Sequence, residues 1–360
     1  MKEKSALIAM SGGVDSSCAA FLMREQGYEC MGTTMRLYRN EDLGACNFRT
    51  CCSEKDIEDA SEVAFQLDIP YEVLDFTADF QDKIIEKFIR TYEEGGTPNP
   101  CIDCNRFMKF DKLLDFAFAH GLNYIVTGHY ARIERDENTG RYILKKGVDE
   151  GKDQSYVLYN LTQHQLAHTI FPLGAYSKTQ IREMAEKQSF CNARKHDSQD
   201  ICFVPDGDYV GFMEQYTGKR YPSGDFIDEN GKKIGTHAGA VRYTIGQRRG
   251  LNLGGPGGPY YVTALDVAHN RVVVGSEQDL FSKTVHAGEA TWVEQAPSAP
   301  FRALGKIRYA AREAACTVYP DGDSLRVEFD DAQRAVTAGQ ALVLYDAETG
   351  ERVLGGGVIQ

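Results

Sequence analysis

No apolar run in this 360-residue chain approaches the roughly 18 residues that a membrane-spanning helix needs. Its first residues, MKEKSALIAMSGG, are too charged and too short to serve as a secretory leader. A cytoplasmic location with no membrane partner is therefore expected. Positive charge is scarce: 40 Lys and Arg stand against 52 Asp and Glu, a formal net charge of −12. That balance argues mildly against a nucleic-acid partner. It does not exclude one, because binding needs a local basic surface rather than a basic average. Internal repeats and low-complexity segments are missing as well. No Gly-Lys-Ser or Gly-Lys-Thr follows a glycine-rich loop, so the Walker type of phosphate site is excluded.

What is present begins with an alternation of patterns. Ala6–Met10, Cys30–Leu37, Tyr71–Phe76 and Tyr124–Thr127 read as strands. Ser16–Gln26, Ser53–Leu67, Phe80–Tyr92 and Lys109–His120 carry apolar residues at helical spacing. Strands alternating with helices imply βαβ units and a parallel sheet. Ala131–Lys146 reads as a hairpin around Asn138-Thr139-Gly140. Helical spacing returns at Gln163–Ile170 and Lys178–Gln188. From about Tyr209 short strand-like runs and glycine clusters take over, which suggests two β-rich domains, the last a small barrel. Three domains are expected, at residues 1–208, 209–280 and 281–360.

Ser11-Gly12-Gly13-Val14-Asp15-Ser16-Ser17 lies between the first strand and the first helix. There, backbone N–H groups and the helix dipole favour an anion. Gly12 and Gly13 allow close approach and positive φ. The hydroxyls of Ser11, Ser16 and Ser17 can donate to phosphate oxygens. Asp15 is out of place beside an anion unless a cation such as Mg²⁺ lies between them. A plain turn with Asp15 or Ser16 as helix cap is the competing reading.

Nine of the ten cysteines precede residue 203. Cys101 and Cys104 stand in Thr97-Pro98-Asn99-Pro100-Cys101-Ile102-Asp103-Cys104-Asn105, and Cys202 ends Lys195-His196-Asp197-Ser198-Gln199-Asp200-Ile201-Cys202. The two prolines are expected to forbid helix, leaving both cysteines on a rigid loop before a helix that starts near Lys109. Four chemistries fit these residues: buried hydrophobes, a structural zinc site completed by His129 or His196, thioredoxin-like exchange, or sulfur handling through a persulfide.

SGGVDSS after the first strand resembles the signature of PP-loop enzymes, which cleave ATP to AMP and pyrophosphate on a Rossmann-like sheet. Cys51-Cys52-Ser53, TPNPCIDCNRFMKF, TGHYAR, KDQSYVLYNL, KHDSQDICFV, YTIGQRRGL, KIRYA and VLGGG resemble, end to end, the bacterial tRNA 2-thiouridylases. The resemblance implies an α/β fold, with a Rossmann-like parallel-sheet PP-loop domain, a small central domain and a C-terminal β-barrel domain. It implies ATP with Mg²⁺ at Ala9, Met10, Ser11, Gly12, Gly13, Val14, Asp15, Ser16, Met35 and Gly128. Thiolation of the wobble uridine of tRNA would follow, with Cys202 carrying a persulfide, Cys104 attacking it and a disulfide between them as one outcome. A sulfur-relay protein or cysteine desulfurase would be a partner. Asn99, Pro100 and Cys101 match positions that meet the target base. His129, Lys152, Asp153, Gln154, Arg308, Tyr309 and Gln340 match positions that touch tRNA. The better-known members carry Asp at the position of Cys101. Cys101, Cys104 and Cys202 are thus also candidate ligands of a [4Fe–4S] cluster. A sister PP-loop synthetase and a non-catalytic RNA-binding protein are the alternatives.

Overall fold

The computed structural model describes residues 4–38, 54–197, 201–204, 206–254 and 258–360. Cys51, Cys52, Ser53, Ser198, Gln199, Asp200 and the middle of the Gly254–Gly258 cluster lie outside them.

The apolar run SALIA forms β1 (Ser5–Ala9), buried in the middle of a sheet. It is followed by α1 (Val14–Glu25), β2 (Glu29–Arg36), α2 (Glu54–Gln66) and β3 (Tyr71–Asp75). Next come α3 (Thr77–Phe80) and α4 (Glu86–Glu93) on either side of a π-helical stretch, Gln81–Ile85. After them, α5 (Pro100–Asp103) runs through a second π-helical stretch, Cys104–Lys112, into α6 (Leu113–Ala119). β4 (Tyr124–Val126), the hairpin β5 (Ala131–Arg135) and β6 (Tyr142–Lys146), α7 (Gln163–Ala167), β7 (Thr169–Ile170) and α8 (Lys178–Lys187) complete this half. Thr162 and Ser177 start α7 and α8 with full capping boxes. The parallel sheet has the order β3-β2-β1-β4-β7. The chain runs outward from β1 through β2 to β3, then returns to the other side of β1 as β4. In open α/β sheets such a reversal leaves a crevice beyond the carboxyl ends of the two strands.

Two sequence expectations are corrected here. The prolines do not forbid helix at Cys101: Pro100 is the first residue of α5, where a missing N–H costs nothing and the fixed φ suits a helix. Gln163–Ile170 is not one helix either. α7 stops at Ala167 and the β-branched Thr169 and Ile170 pair with β4 at the sheet edge.

A helix opens the second half, α9 (Tyr209–Thr217), and Gly218 in the left-handed conformation ends it. Strands β8 (Gly224–Ile227), β9 (Lys233–His237), β10 (Tyr261–Asp266) and β11 (Arg271–Gly275) form a sheet of order β10-β11-β8-β9. Phe226, Val262, Val272 and Val274 lie in its own small core. β12 (Phe281–Trp292), β13 (Phe301–Lys306), β14 (Ala314–Asp321), β15 (Ser324–Arg334), β16 (Ala341–Asp346) and β17 (Val353–Ile359) close an antiparallel barrel. The α/β class, the middle β-rich unit and the terminal barrel are therefore all present.

The barrel shares a core with the parallel sheet. On β16, Leu342 and Leu344 fill the barrel, whereas Ala341, Val343 and Tyr345 join Leu7, Phe110, Leu113 and Ile125. Burial on both faces explains why Ala341–Tyr345 is an unbroken apolar run. Gly356 of β17 lets the barrel wall close on the α/β unit, because a Cβ there would lie 2.9 Å from Tyr159 and 2.2 Å from the Leu342 oxygen. Tyr156 donates its hydroxyl to the Ala341 carbonyl at 2.8 Å.

This continuous core makes the barrel and the sheet one unfolding unit. Fluorescence of Trp292, the single tryptophan, and backbone circular dichroism should report the same urea midpoint. Tyr156→Phe should lower both together, through a stability loss of about 1–2 kcal/mol for one buried hydrogen bond. Separate midpoints for the two signals would contradict the shared core.

Candidate active site

The crevice between β1 and β4 is bounded by two glycine-dependent turns. Gly12 has φ +69°, and a Cβ there would stand 2.2 Å from the carbonyl oxygen of Asp56. Gly13 caps α1, whose first turn presents unbonded N–H groups. Across the crevice, a Cβ on Gly128 would come within 2.9 Å of the Asp15–Ser16 peptide, so the turn after β4 rests directly on α1. Ser16 and Ser17 both donate their hydroxyl hydrogens to the Gly13 carbonyl, at 3.0 and 3.1 Å. In this state they stitch the loop together rather than offering those hydrogens to an anion. Ser16 Oγ also accepts from the Ser11 amide at 3.1 Å.

Ion pairs fix the loop from behind. Lys195 Nζ lies 3.0 Å from the Gly12 carbonyl, 2.5 Å from Asp56 and 2.7 Å from Asp59. Asn192 adds a second donor to the same carbonyl at 3.0 Å. Lys178 Nζ contacts both oxygens of Asp15 at 2.8 Å and Asp197 at 2.8 Å. Tyr130 donates its hydroxyl to Asp15 at 2.8 Å. Burial first, and then Asp15, drives the Tyr130 phenol far above its ordinary range, so it stays a donor. Asp197 also holds Lys152 at 2.7 Å and Arg182 at 2.8 Å. Burial would raise its carboxyl, but Lys152 and Lys178 prevail and hold it at about 2.

These groups surround a cavity of about 670 Å³. Ala9, Met10, Ser11, Gly13, Val14, Asp15, Ser16, Met35 and Gly128 line its phosphate-loop side. Pro100, Cys101, Cys104 and Cys202 line another side, and His129, Lys152, Gln154 and Tyr309 also border it. Tyr309 is 45% exposed and donates its hydroxyl to the Asp153 carbonyl at 3.1 Å. The remaining expected site residues stand outside. Gly12 underlies the loop. Asn99 borders a separate cleft beside Gly339. Asp153 accepts from the amides of Gly147 and Ser155. Arg308 donates to the carbonyls of Arg334 and Ala335. Gln340 donates to the Thr97 carbonyl at 2.8 Å, so a barrel residue holds the chain ahead of Cys101.

His129 is buried, with Nδ1 2.6 Å from the Thr127 hydroxyl and its ring against Phe110 and Phe171. Burial, aided by Lys109, keeps the imidazole well below its ordinary value and neutral. Cys18, Cys30 and Cys316 are buried thiols pushed up to about 12, 11 and 12, chiefly by burial, and behave as small hydrophobes. No disulfide joins the described cysteines. Among the described residues, no group of three or more His, Cys, Asp or Glu is arranged to hold a metal ion. The cavity carboxylates Asp15, Asp56 and Asp197 are all ion-paired to lysine. The carboxylates present therefore form no resident Mg²⁺ cage.

Sequence reasoning missed Lys178, Tyr130, Lys195, Asp56 and Lys109. A signal existed for Asp56: it stands one turn before Ala60 on the apolar stripe of α2, where a carboxylate needs a buried partner. Lys195 opens a motif already singled out. Lys178 carried no local signal.

Residues 4–206 match the family described as the tRNA methyl transferase HUP domain. Residues 210–276 match the tRNA methyl transferase PRC-barrel domain, and 282–359 the aminomethyltransferase beta-barrel domain. The tRNA-specific 2-thiouridylase MnmA of Clostridioides difficile is 45% identical over 359 residues, covering 99% of this chain and 98% of that protein. The protein of the same name from Acetivibrio thermocellus is 46% identical over 363 residues and covers 100% of both. Among solved structures, the U34-tRNA thiolase NcsA from Methanococcus maripaludis with its [4Fe-4S] cluster is 14% identical. It has a TM-score of 0.34 and covers 61% of this chain and 72% of that one, a likeness too weak to bear on chemistry.

The neutral His129 has a measurable consequence. The unfolded chain takes up a proton near the ordinary 6.5, whereas the folded chain refuses it. Stability is then complete above that pH and is lost as pH falls below it, by up to about 1.4 kcal/mol per pH unit. His129→Asn should flatten this loss in urea titrations between about pH 6.5 and 5.5. Parallel pH slopes for wild type and variant would contradict the assignment.

Proposed function

Because the chain belongs to the MnmA family of tRNA-specific 2-thiouridylases, which are sulfurtransferases, we propose a two-step reaction in the one cavity. MgATP adenylates the C2 oxygen of the wobble uridine, at position 34 of tRNA, and Cys202 and Cys104 then supply sulfur to C2. The observation that carries this reading is that the phosphate loop, Cys104 and Cys202 line the same cavity.

The first step needs the polyphosphate at the amino end of α1, where unbonded N–H groups and the helix dipole attract it. Mg²⁺ arrives with the nucleotide, as part of the substrate. The uracil C2 oxygen attacks the α-phosphorus, a P–O bond forms and pyrophosphate leaves with the electron pair of the broken bond. The C2 oxygen is thereby turned into the leaving group AMP. Phe80, Ile84, Val157 and Phe203 on the cavity wall limit water, which strengthens every charge interaction inside.

In the second step the Cys104 thiolate attacks the inner sulfur of a persulfide on Cys202. A Cys104–Cys202 disulfide forms and hydrosulfide is released beside C2. Hydrosulfide adds to C2, the C2–O bond breaks and AMP departs. Each turnover consumes one persulfide and leaves one disulfide. A sulfur-relay protein or desulfurase must therefore reload Cys202, and an external thiol must reduce the pair. A [4Fe–4S] cluster on Cys101, Cys104 and Cys202 would instead make all three cysteines equivalent in importance. The tRNA is read as entering beside Tyr309, Lys152 and Gln154, with Arg308 and Gln340 acting from behind as supports.

Thiolation assays with the cysteine variants test this reading. Cys104→Ser and Cys202→Ser should each lose at least about a hundredfold in activity, as nucleophile removal does. Cys101→Ser should keep most of it, with iron absent from active wild type. Equal loss in all three variants, with stoichiometric iron in wild type, would replace the persulfide route by the cluster. Wild-type release of ADP instead of tRNA-dependent AMP would remove the adenylation step.

A further inference from the structure

Among the described residues three lysines line the cavity: Lys109, Lys152 and Lys195. Two are neutralised, Lys152 by Asp197 at 2.7 Å and Lys195 by Asp56 at 2.5 Å and Asp59 at 2.7 Å. The third cavity carboxylate, Asp15, is matched by Lys178 at 2.8 Å. Among the described residues Lys109 has no carboxylate partner. A half-buried ammonium without a counter-ion costs free energy, which a bound anion recovers.

Its place says which anion. Lys109 lies in the π-helical stretch Cys104–Lys112. π-Helical hydrogen bonds join residues five apart, so Cys104 and Lys109 stand one above the other on the same face, and both line the cavity. His129 lines the same cavity, and its ring is kept neutral by burial first and then by the charge of Lys109. His129 follows Gly128, which rests on the Asp15–Ser16 peptide. Lys109 thus lines the same cavity as the thiol of Cys104 and the first turn of α1. A group shared by those two ends must be bonded both to the nucleotide and to the base that receives sulfur. In the adenylation reading, on which this inference rests, that group is the α-phosphate.

We propose that Lys109 is a further catalytic residue that binds the α-phosphate of the nucleotide, from ATP through the adenylated base to departing AMP. In the adenylated uridine this phosphate is a diester with one negative charge. When sulfur displaces it, the C2–O bond breaks, its electron pair stays on the phosphate oxygen and AMP leaves as a monoester with a second charge. An ammonium already in place stabilises the charge that develops, so its effect is greater in the transition state than in the ground state. Lys152 and Lys195 cannot take this role without giving up Asp197 or the Asp56–Asp59 pair.

The test is calorimetric binding of AMP and of adenosine to wild type, Lys109→Met and Lys109→Arg. Lys109→Met should weaken AMP about tenfold or more, the scale of one charge-assisted hydrogen bond. Adenosine affinity should stay within about twofold, which also shows that the site is folded. Lys109→Arg should keep AMP within about threefold. Affinity for nucleotide-free tRNA should not change. Unchanged AMP affinity in Lys109→Met overturns the proposal. So does an equal loss for AMP and adenosine, or a loss confined to tRNA. Wild type assayed alongside separates the two levels. If it forms no tRNA-dependent AMP, adenylation fails and the role of Lys109 with it. If it forms AMP while Lys109→Met binds AMP normally, only the role of Lys109 fails.

Discussion

The carbonyl of Gly12 accepts hydrogen bonds from Lys195 and Asn192, and the arrangement of the site follows from that contact. Within the loop Ser16 and Ser17 hold the Gly13 carbonyl, but the Gly12 carbonyl is held from elsewhere. Here the holders come from far along the chain: Lys195 is 183 residues from Gly12, and Lys178 is 163 residues from Asp15. Both lysines are themselves bound by carboxylates, Asp56 and Asp59 for one, Asp197 for the other. The result is a charge network that fixes the loop before any nucleotide arrives, the kind of preorganisation that spares reorganisation during reaction. The same network anchors Lys195 and Asp197, which stand shortly before Cys202 in the chain, so the glycine loop and the segment leading to Cys202 share their supports.

A second constraint comes from the barrel. Thr97 donates its amide to Ala338 and accepts at its carbonyl from Gln340, while Gly339, at φ +85°, lets the two chains meet. Asn105 then fastens the cysteine-bearing helix to the Val157 carbonyl at 3.0 Å. The barrel therefore sets where Cys101 and Cys104 sit. A tRNA that presses on the barrel would press on the cysteine helix as well.

Much of the fold was legible because local patterns and tertiary structure agree. SALIA, the helical spacing of Ser16–Gln26, the Asn138-Thr139-Gly140 hairpin and the helix at Lys178 all lie where periodicity put them. Proline misled at Pro100, because the same residue that breaks a helix interior also begins one. The π-helical stretches carried no signal in composition, yet Cys104–Lys112 decides which side chains face the cavity. The glycines and cysteines of the cavity were legible as motifs. Their partners were not, because Lys178 reaches Asp15 only once α8 packs on α1. Arg308 and Gln340 also donate to backbone carbonyls, of Arg334 and Thr97, which their motifs did not reveal.

The central claim is that one cavity first activates the base with the nucleotide and then delivers sulfur to it. Trapping the state between the two steps tests it most directly. Cys104→Ser incubated with tRNA and ATP labelled at the α-phosphorus should transfer that label to the tRNA, on the wobble uridine, with no thiolation. If the label is released as free AMP or stays on the protein, and none is ever bound to tRNA, the base is not the adenylated group and the account is wrong.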